Sequence, residues 1–584
     1  MCGIFALLNH KNISIHEIEK EFMKGKNRGP EFSKLDNSYM KMVLGFHRLA
    51  INGLNEESNQ PIVINDVVLI CNGEIYNYKN LYEMMNITPF TGSDCEVIIH
   101  LYIKYGIEQT LTMLDGVFAF ILYDNRLSHD VCNKIYIARD PLGVRPLYVL
   151  KNNNSMTNDL CGFASELKCL EKFYNQDIDS FSIQQFTPGT YSIYNLSSKV
   201  SSVWEPLKEN ISYFIPTFSY SFGILPYNDY TLIKPSLNSI TVSLAYCLQK
   251  AVNKRCLTTE RPIACLLSGG LDSSLISALV SDYYRMNNMD KPLETYSIGL
   301  TDSEDLKYAR IVADWIGSKH TEIVISEKGM FEAIPEVIQA IESYDTTTVR
   351  ASIGNFLLGK YIAAHSDAKV IFNGDGSDEL LGGYLYMGKC PDDIEFDRET
   401  RRLLKDIHLF DVLRSDKCIS SHGLEPRTPF LDRNFVNYVL STPAYYRNHK
   451  NFDCIEKTLL REGFNCSSPN VMAFKDNRGK QLLPDSILLR KKEAFSDGVS
   501  SQGRSLYVIL QEQIASQLNM EENTDKYTPC IETEKYYYKK LFDNLYPNCS
   551  SILPYFWMPK YTNAKDPSAR TLTFYNENSS EKIV

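Results

Sequence analysis

Apolar residues along the chain follow two regimes that meet near residue 237. In the first, short apolar runs end in polar clusters. Met1 to Leu8 places Cys2 second with a strand directly behind it, and His47 to Ile51 puts Arg48 at the end of an apolar strand. Val67 to Cys71 leads into Asn72-Gly73-Glu74-Ile75-Tyr76-Asn77, and Gly92-Ser93-Asp94 precedes a helical pattern over Glu96 to Tyr105. Between about Ser201 and Leu237 periodicity is poor and Pro, Ser, Tyr and Asn dominate, so the boundary is expected there. Asn238 to Cys256 then reads as an amphipathic helix. Ile263 to Leu267, Thr295 to Leu300, Thr321 to Ile325 and Val370 to Phe372 read as strands, with helical patterns from Ser273 to Val280 and Asp305 to Ile316. That alternation predicts a parallel sheet covered by helices, whose ligands bind beyond the carboxyl ends of the strands.

Two of those strand ends carry chemistry. Leu266-Leu267-Ser268-Gly269-Gly270-Leu271-Asp272-Ser273-Ser274 is a strand, a glycine turn and a helix start. The free N–H groups and the positive end of the helix dipole make that turn an anion site. A carboxylate beside a phosphate is repulsive unless a metal lies between them, so Asp272 reads as a Mg²⁺ ligand. The bland alternative is an ordinary capped turn. Asn373-Gly374-Asp375-Gly376-Ser377-Asp378-Glu379 follows the strand Val370 to Phe372 and crowds acids beside two glycines. Asp378 is the second expected Mg²⁺ ligand, the alternative being a solvated acidic turn. At the N-terminus, removal of Met1 would leave Cys2 with a thiol and its own α-amine, nucleophile and proton acceptor in one residue. Gly383 to Cys390 has the spacing of a phosphate loop, but no strand precedes it and bulky side chains fill it, so a buried segment is expected.

Composition narrows the class. A chain of 584 residues is too long for one core. The net charge of -10 argues against nucleic acid as the main partner. The 15 cysteines are scattered without a C-x-x-C pair, which suits a reducing compartment. No apolar run approaches the roughly 20 residues needed to span a bilayer, and no basic leader precedes the first strand. A cytoplasmic protein without a membrane partner is expected. Pairing of two copies stays open.

Ser268-Gly269-Gly270-Leu271-Asp272-Ser273-Ser274 resembles the pyrophosphate loop of ATP pyrophosphatases, which split ATP between the α- and β-phosphates. Cys2, Arg48, Asn72-Gly73-Glu74 and Asp94 match the glutaminase domain of the N-terminal-nucleophile amidotransferases. Leu114 to Phe120, Arg139 to Tyr148 and Ala164 to Lys168 also look like that domain. Taken from Cys2 to about Gly498, through Glu342 to Arg350, Pro426 to Asp432 and Arg490 to Gly498, the chain resembles glutamine-dependent asparagine synthetases. The resemblance implies an α/β multidomain chain. Residues 1–201 would be an N-terminal-nucleophile αββα sandwich and 202–237 a linker. Residues 238–510 would be an ATP-pyrophosphatase-type domain with a parallel sheet, and 511–584 an extension with a frayed end.

It also implies roles. Arg48 would pair with the glutamine α-carboxylate, Asp94 with its ammonium, and Glu74 would help bind it. Asn72 and Gly73 would form the oxyanion hole for attack by Cys2. Leu266 and Ile298 would flank adenine. Ser268, Gly270, Asp272 and Ser273, with Asn373 and Gly374, would hold ATP. Thr347 and Arg350 would bind aspartate, and Lys492 would neutralise the α-phosphate. The usual family pattern is Ser-Gly-Glu where this chain has Asn373-Gly374-Asp375. The Glu is the expected base or orienting group for ammonia, and Asp375 shortens its reach by about 1.5 Å. The rival readings are a related amidotransferase or cyclase acting on another carboxylate, and a degenerate nucleotide-binding scaffold. Beyond about Ser501 the resemblance fades. Lys535-Tyr536-Tyr537-Tyr538-Lys539-Lys540 there reads as a half-buried helix rather than a basic strip.

Overall fold

A computed structural model of the chain describes residues 1–11, 13–126, 133–153, 160–197, 202–214, 236–468, 472–501 and 503–575. The strand Gly3–Leu8 is wholly buried and runs antiparallel to both Met42–Arg48 and Cys161–Ala164. Phe32–Tyr39, Tyr148–Asn152 and Phe181–Gln185 complete this first sheet. A second sheet runs in the order Trp204–Ser212, Thr190–Leu196, Lys134–Arg139, Gly116–Asp124, Val67–Ile75 and Ile62–Ile64.

The period-two alternation of side chains stacks the two sheets. Ile4, Ala6 and Leu8 meet Val68 and Ile70 between them. The other faces are covered by helices: Phe5 and Leu7 pack with Ile18 and Phe22 of Ile15–Met23, and Leu69 and Cys71 with Ile98 and Leu101 of Val97–Met113. This is the expected αββα layering. Asn72–Glu74 continues the strand Val67–Ile75, paired with Val117–Ala119. One local expectation differs. Trp204–Ser212, expected to open the linker, is a strand of the second sheet instead. Its middle is exposed, so hydrophobic alternation gives no signal, while Trp204 is buried between the sheets. Most of the expected linker and the tail beyond Tyr575 lie outside the described residues.

The second domain is a five-stranded parallel sheet in the order Lys319–Val324, Glu294–Gly299, Ile263–Leu266, Val370–Phe372 and Glu425–Arg427. The chain builds outward in one direction from Ile263–Leu266, then restarts on its other side with Val370–Phe372. The switch point therefore lies between these two strands, where a doubly wound sheet opens a crevice for ligands. The helices Leu237–Leu257 and Leu271–Met286 cover one face, and Thr346–His365 the other.

The segment Gly383 to Cys390 contains a short 3₁₀ helix, Leu385–Lys389, with Tyr386 and Met387 buried against Phe396, Phe410 and Trp557. The C-terminal helices Leu506–Glu522 and Ile531–Leu545 pack their apolar faces on Ile334–Ile341. Tyr537 and Tyr538 are buried while Lys539 pairs with Asp543 at the surface, the half-buried helix expected.

Charge, not only apolar surface, joins the domains. Arg28 is buried, its Nη1 2.8 Å from Glu166 and 2.7 Å from Asp416 of the helix Asp411–Ser420. Arg145, also buried, lies 3.5 Å from the other oxygen of Asp416. Lys417 pairs with Glu342, whose carboxylate accepts the Leu167 and Lys168 N–H groups at 2.7 and 3.0 Å. A buried charge stripped of its partner is far more costly than the pair is valuable. Asp416→Ala is therefore expected to destabilise the chain by about 3–5 kcal/mol, read as a lower thermal midpoint; an unchanged midpoint would contradict this account of the seam.

Candidate functional site

The first site gathers at one end of the sandwich. Cys2 is half-buried, its Sγ 3.7 Å from Leu49 O and its carbonyl accepting from Arg28 Nε at 3.0 Å. Burial pushes the thiol up, opposed by the neighbouring terminal ammonium. The Met1 amine is itself lowered to about 6 by burial and lies 3.5 Å from Leu424 O of the second domain. Asn72 is fully buried. Its Nδ2 is 3.5 Å from Ser165 Oγ and its Oδ1 has no partner, so the amide is weakly held. Arg48 closes on its own loop, donating to Asn55 O and Asn59 Oδ1 at 2.8 Å each and to Gly53 O.

Asn52, which carried no sequence signal, ties the acids together. Its Nδ2 donates to Glu74 at 2.8 Å and to Asp94 at 3.4 Å. Asp94 also accepts the Ile75 N–H at 2.6 Å. Burial raises Asp94 to about 6, and burial with Asp94 and Glu425 nearby holds Glu74 well above the ordinary carboxylate range. Cys2, Arg48, Asn72, Gly73, Glu74 and Asp94 are thus brought into one neighbourhood.

The second site is an open cleft at the carboxyl ends of the parallel strands. Leu266 and Ile298 line it with Tyr296, Ala351 and Leu358. Ser268, Gly270, Asp272 and Ser273 also line it, at the start of the helix Leu271–Met286. The turn is tight: Ser268 Oγ and Ser273 Oγ are 3.0 Å apart, and Gly269 has φ +72° where a Cβ would fall 2.5 Å from Ala309 N. Gly374 presses against the same helix start, a Cβ there meeting Ser273 N at 2.8 Å.

Asp272 and Asp378 face each other across two ammonium groups. Lys457 Nζ is 2.6 Å from Asp272 and 2.5 Å from Asp378, and Lys492 Nζ is 2.6 Å from Asp378 and 3.9 Å from Asp272. Although burial opposes ionisation, the two lysines drive the Asp378 pKa far below normal, and the acids raise that of Lys492. Lys457 gave no sequence signal. It adopts a left-handed backbone (φ +60°), and its side chain passes Gly383, where a Cβ would stand 2.0 Å from its Cε.

Asp375 Oδ1 is 3.3 Å from Arg414 Nη2, and its Oδ2 has no partner. Burial raises the Asp375 carboxyl. Arg414 lies 2.7 Å from Asp411, and its Nε has no partner. Thr347 lines the cleft with an unpartnered Oγ1. Arg350, expected beside it, does not line the cleft. Its fork is filled by Glu534 at 2.8 Å and Asp566 at 2.7 and 2.9 Å, both from the C-terminal extension. On the helix Thr346–His365, Arg350 faces the extension rather than the strand ends, and Arg414 is the arginine beside Asp375.

Together the fold and the two sites define a two-domain amidotransferase: a glutaminase-type sandwich joined to an α/β domain with a pyrophosphate-type loop at its switch point. Residues 1–205 match the glutamine amidotransferase domain, and 243–395 and 389–568 match asparagine synthase. The asparagine synthetase [glutamine-hydrolyzing] of Gallus gallus is 42% identical, the alignment covering 98% of this chain and 99% of that protein. That of Homo sapiens is 41% identical over the same shares. The chain belongs to the family of glutamine-hydrolysing asparagine synthetases.

Proposed function

We propose that the chain makes asparagine from aspartate and ATP, with ammonia drawn from glutamine. The observation that carries this reading is the convergence of Asp272 and Asp378, in the helix starts that follow the two strands of the switch point, on Lys457 and Lys492 at one point of the cleft. We place it in the cytoplasm; among the described residues no helix is long and apolar enough to cross a membrane. The working units are the sandwich, extended to Ser212, and the nucleotide domain with its C-terminal helices.

In the first site, once Met1 is removed, the Cys2 amine takes the thiol proton and the thiolate attacks the glutamine side-chain amide. Arg48 exchanges loop carbonyls for the α-carboxylate, a bidentate acceptor. Asp94 and Glu74 hold the ammonium side of the substrate. The loosely held Asn72 amide and the Gly73 N–H receive the oxyanion. Ammonia leaves, and water clears the thioester to release glutamate.

In the second site Leu266 and Ile298 flank the adenine, and the Ser268–Ser273 turn with Asn373 and Gly374 holds the phosphates. Asp272 and Asp378 suit Mg²⁺, which is bound by one or two carboxylates plus substrate phosphates; they already converge on a shared positive charge. The ion would screen the phosphates and favour departure of pyrophosphate. The aspartate β-carboxylate attacks the α-phosphate, giving β-aspartyl-AMP, with Lys492 facing the charge that develops. Thr347 and, in place of Arg350, Arg414 hold the aspartate. Asp375 orients ammonia for attack on the acyl-adenylate, yielding asparagine and AMP. Ammonia must arrive unprotonated to have a lone pair. The edge strand Glu425–Arg427 separates the two sites: Leu424, just before it, meets Met1, and Asn373 N donates to Arg427 O at 3.1 Å.

With aspartate, Mg-ATP and either glutamine or ammonium, asparagine matched by AMP and pyrophosphate is the expected product set. AMP without asparagine would point to a different acceptor, and nucleotide binding without turnover to a scaffold. Arg414→Lys is expected to raise the aspartate KM about tenfold or more while glutamine hydrolysis persists. Arg350→Lys should instead lower the thermal midpoint; a selective rise in aspartate KM for Arg350→Lys alone would reverse the assignment. Asp94 gives a pH dependence. Its carboxyl is raised to about 6, so it is neutral below that value and cannot pair with an ammonium. The glutamine KM is expected to climb up to about tenfold per unit as pH falls below 6, a slope lost in Asp94→Asn. The same raised value means that Asp94 lowers the stability of the fold progressively as pH rises from its ordinary 3.8 to about 6.

A further inference from the structure

The loop that closes over Arg48 is not held by the sandwich alone. Along Ala50 to Gly53, successive groups are tied to Thr258–Arg261, the strip between the helix Leu237–Leu257 and the strand Ile263–Leu266. Ala50 O accepts from Arg261 Nε at 2.8 Å, and Ile51 O from Glu260 N at 3.0 Å. Asn52 Nδ2 donates to Thr258 O at 3.2 Å, and Gly53 N to Glu260 Oε1 at 2.7 Å. Arg261 Nη2 also holds Glu31 at 2.8 Å, whose other oxygen accepts the Ala50 N–H at 2.7 Å.

Both ends of this strip reach the first site. The Thr258 carbonyl takes a second bond from Arg427 Nη2 at 2.8 Å, and that nitrogen is 3.3 Å from Glu74. Gly53, whose N–H is held by Glu260, gives its carbonyl to Arg48. Its φ is +59°, and a Cβ there would fall 2.5 Å from Gly92 C, two residues before Asp94. The loop bearing Arg48 and Asn52 therefore sits between Asp94 on one side and the second domain on the other.

We infer that Glu260 and Arg261 are positioning residues for glutamine: the second domain's strip Thr258–Arg261 sets the Ala50–Gly53 loop, and through it the Arg48 fork and the Asn52 amide, in the geometry that receives the substrate. The inference rests on the reading of the first site as the glutamine site. It adds that the site is completed by a domain that contributes no group to the hydrolysis. Neither side chain touches the substrate in this account; each acts through the loop.

The test uses the full chain and separates the two nitrogen sources. In Glu260→Ala and in Arg261→Ala the glutamine KM is expected to rise roughly three- to tenfold, the worth of one or two hydrogen bonds. The glutaminase kcat should change less, because Cys2 and Asn72 are not displaced. Ammonia-driven synthesis bypasses the first site and should keep its rate. Glu260→Gln retains an acceptor oxygen for the Gly53 N–H and should restore the KM toward the unaltered value. An unchanged glutamine KM in both alanine variants would overturn the inference. So would an equal loss of glutamine- and ammonia-driven synthesis, which marks a merely structural role. If the unaltered chain released no glutamate from glutamine, the reading of the site itself would fall, and the inference with it.

Discussion

A carboxylate with no water around it holds the two halves of this molecule together. Asp416 gives one oxygen to Arg28 and the other to Arg145, and all three side chains are withdrawn from solvent. Such a group cannot be approximately placed, because moving any member leaves a charge stranded in low dielectric. The helix that carries Asp416 also carries Arg414 into the nucleotide cleft, and its buried Ser415 Oγ accepts from the cleft residue Asn373 at 2.7 Å. Arg28 in turn holds the backbone of Cys2. One short helix thus sets the distance between Cys2 and the loop at Asn373, which two domains joined by a mobile apolar contact would not do.

The two sites solve opposite electrostatic problems. The first has excess acid: Glu74 and Asp94 are raised by burial and bridged by the amide of Asn52. The second has acids and lysines interleaved, so that Asp378 stays ionised although burial opposes it. The first site favours a cationic substrate group. The second holds a charge pattern that a polyanion and its counterion can replace piece by piece.

What could be seen in the sequence follows from how local each feature is. The Ser268–Ser273 turn was legible because strand, glycine and helix start are adjacent in the chain and its chemistry is mostly backbone. The parallel sheet was legible from the alternation of strands and helices, and the sandwich came with the resemblance. Trp204–Ser212 was not legible, since its outward residues are exposed and its inward anchor is one tryptophan. Lys457 was invisible because its place depends on a left-handed backbone and on Gly383, 74 positions earlier in the chain. Arg350 was legible as an important residue but not as to its partner. Which face of the helix Thr346–His365 looks into the cleft is decided by Glu534 and Asp566, 184 and 216 residues beyond Arg350.

That clasp has a consequence in time. A buried guanidinium needs both of its carboxylates, and Asp566 leaves the ribosome 216 residues after Arg350. Chains fold from the N-terminus as they emerge, so the sandwich can assemble while the second domain is still being made. The nucleotide cleft cannot: Trp557, which lines it, and Asp566, which locks Arg350, both emerge long after Asp272 and Asp378. A nascent chain can therefore hold a folded sandwich beside an unfinished cleft, and only the arrival of this later segment brings the two into step.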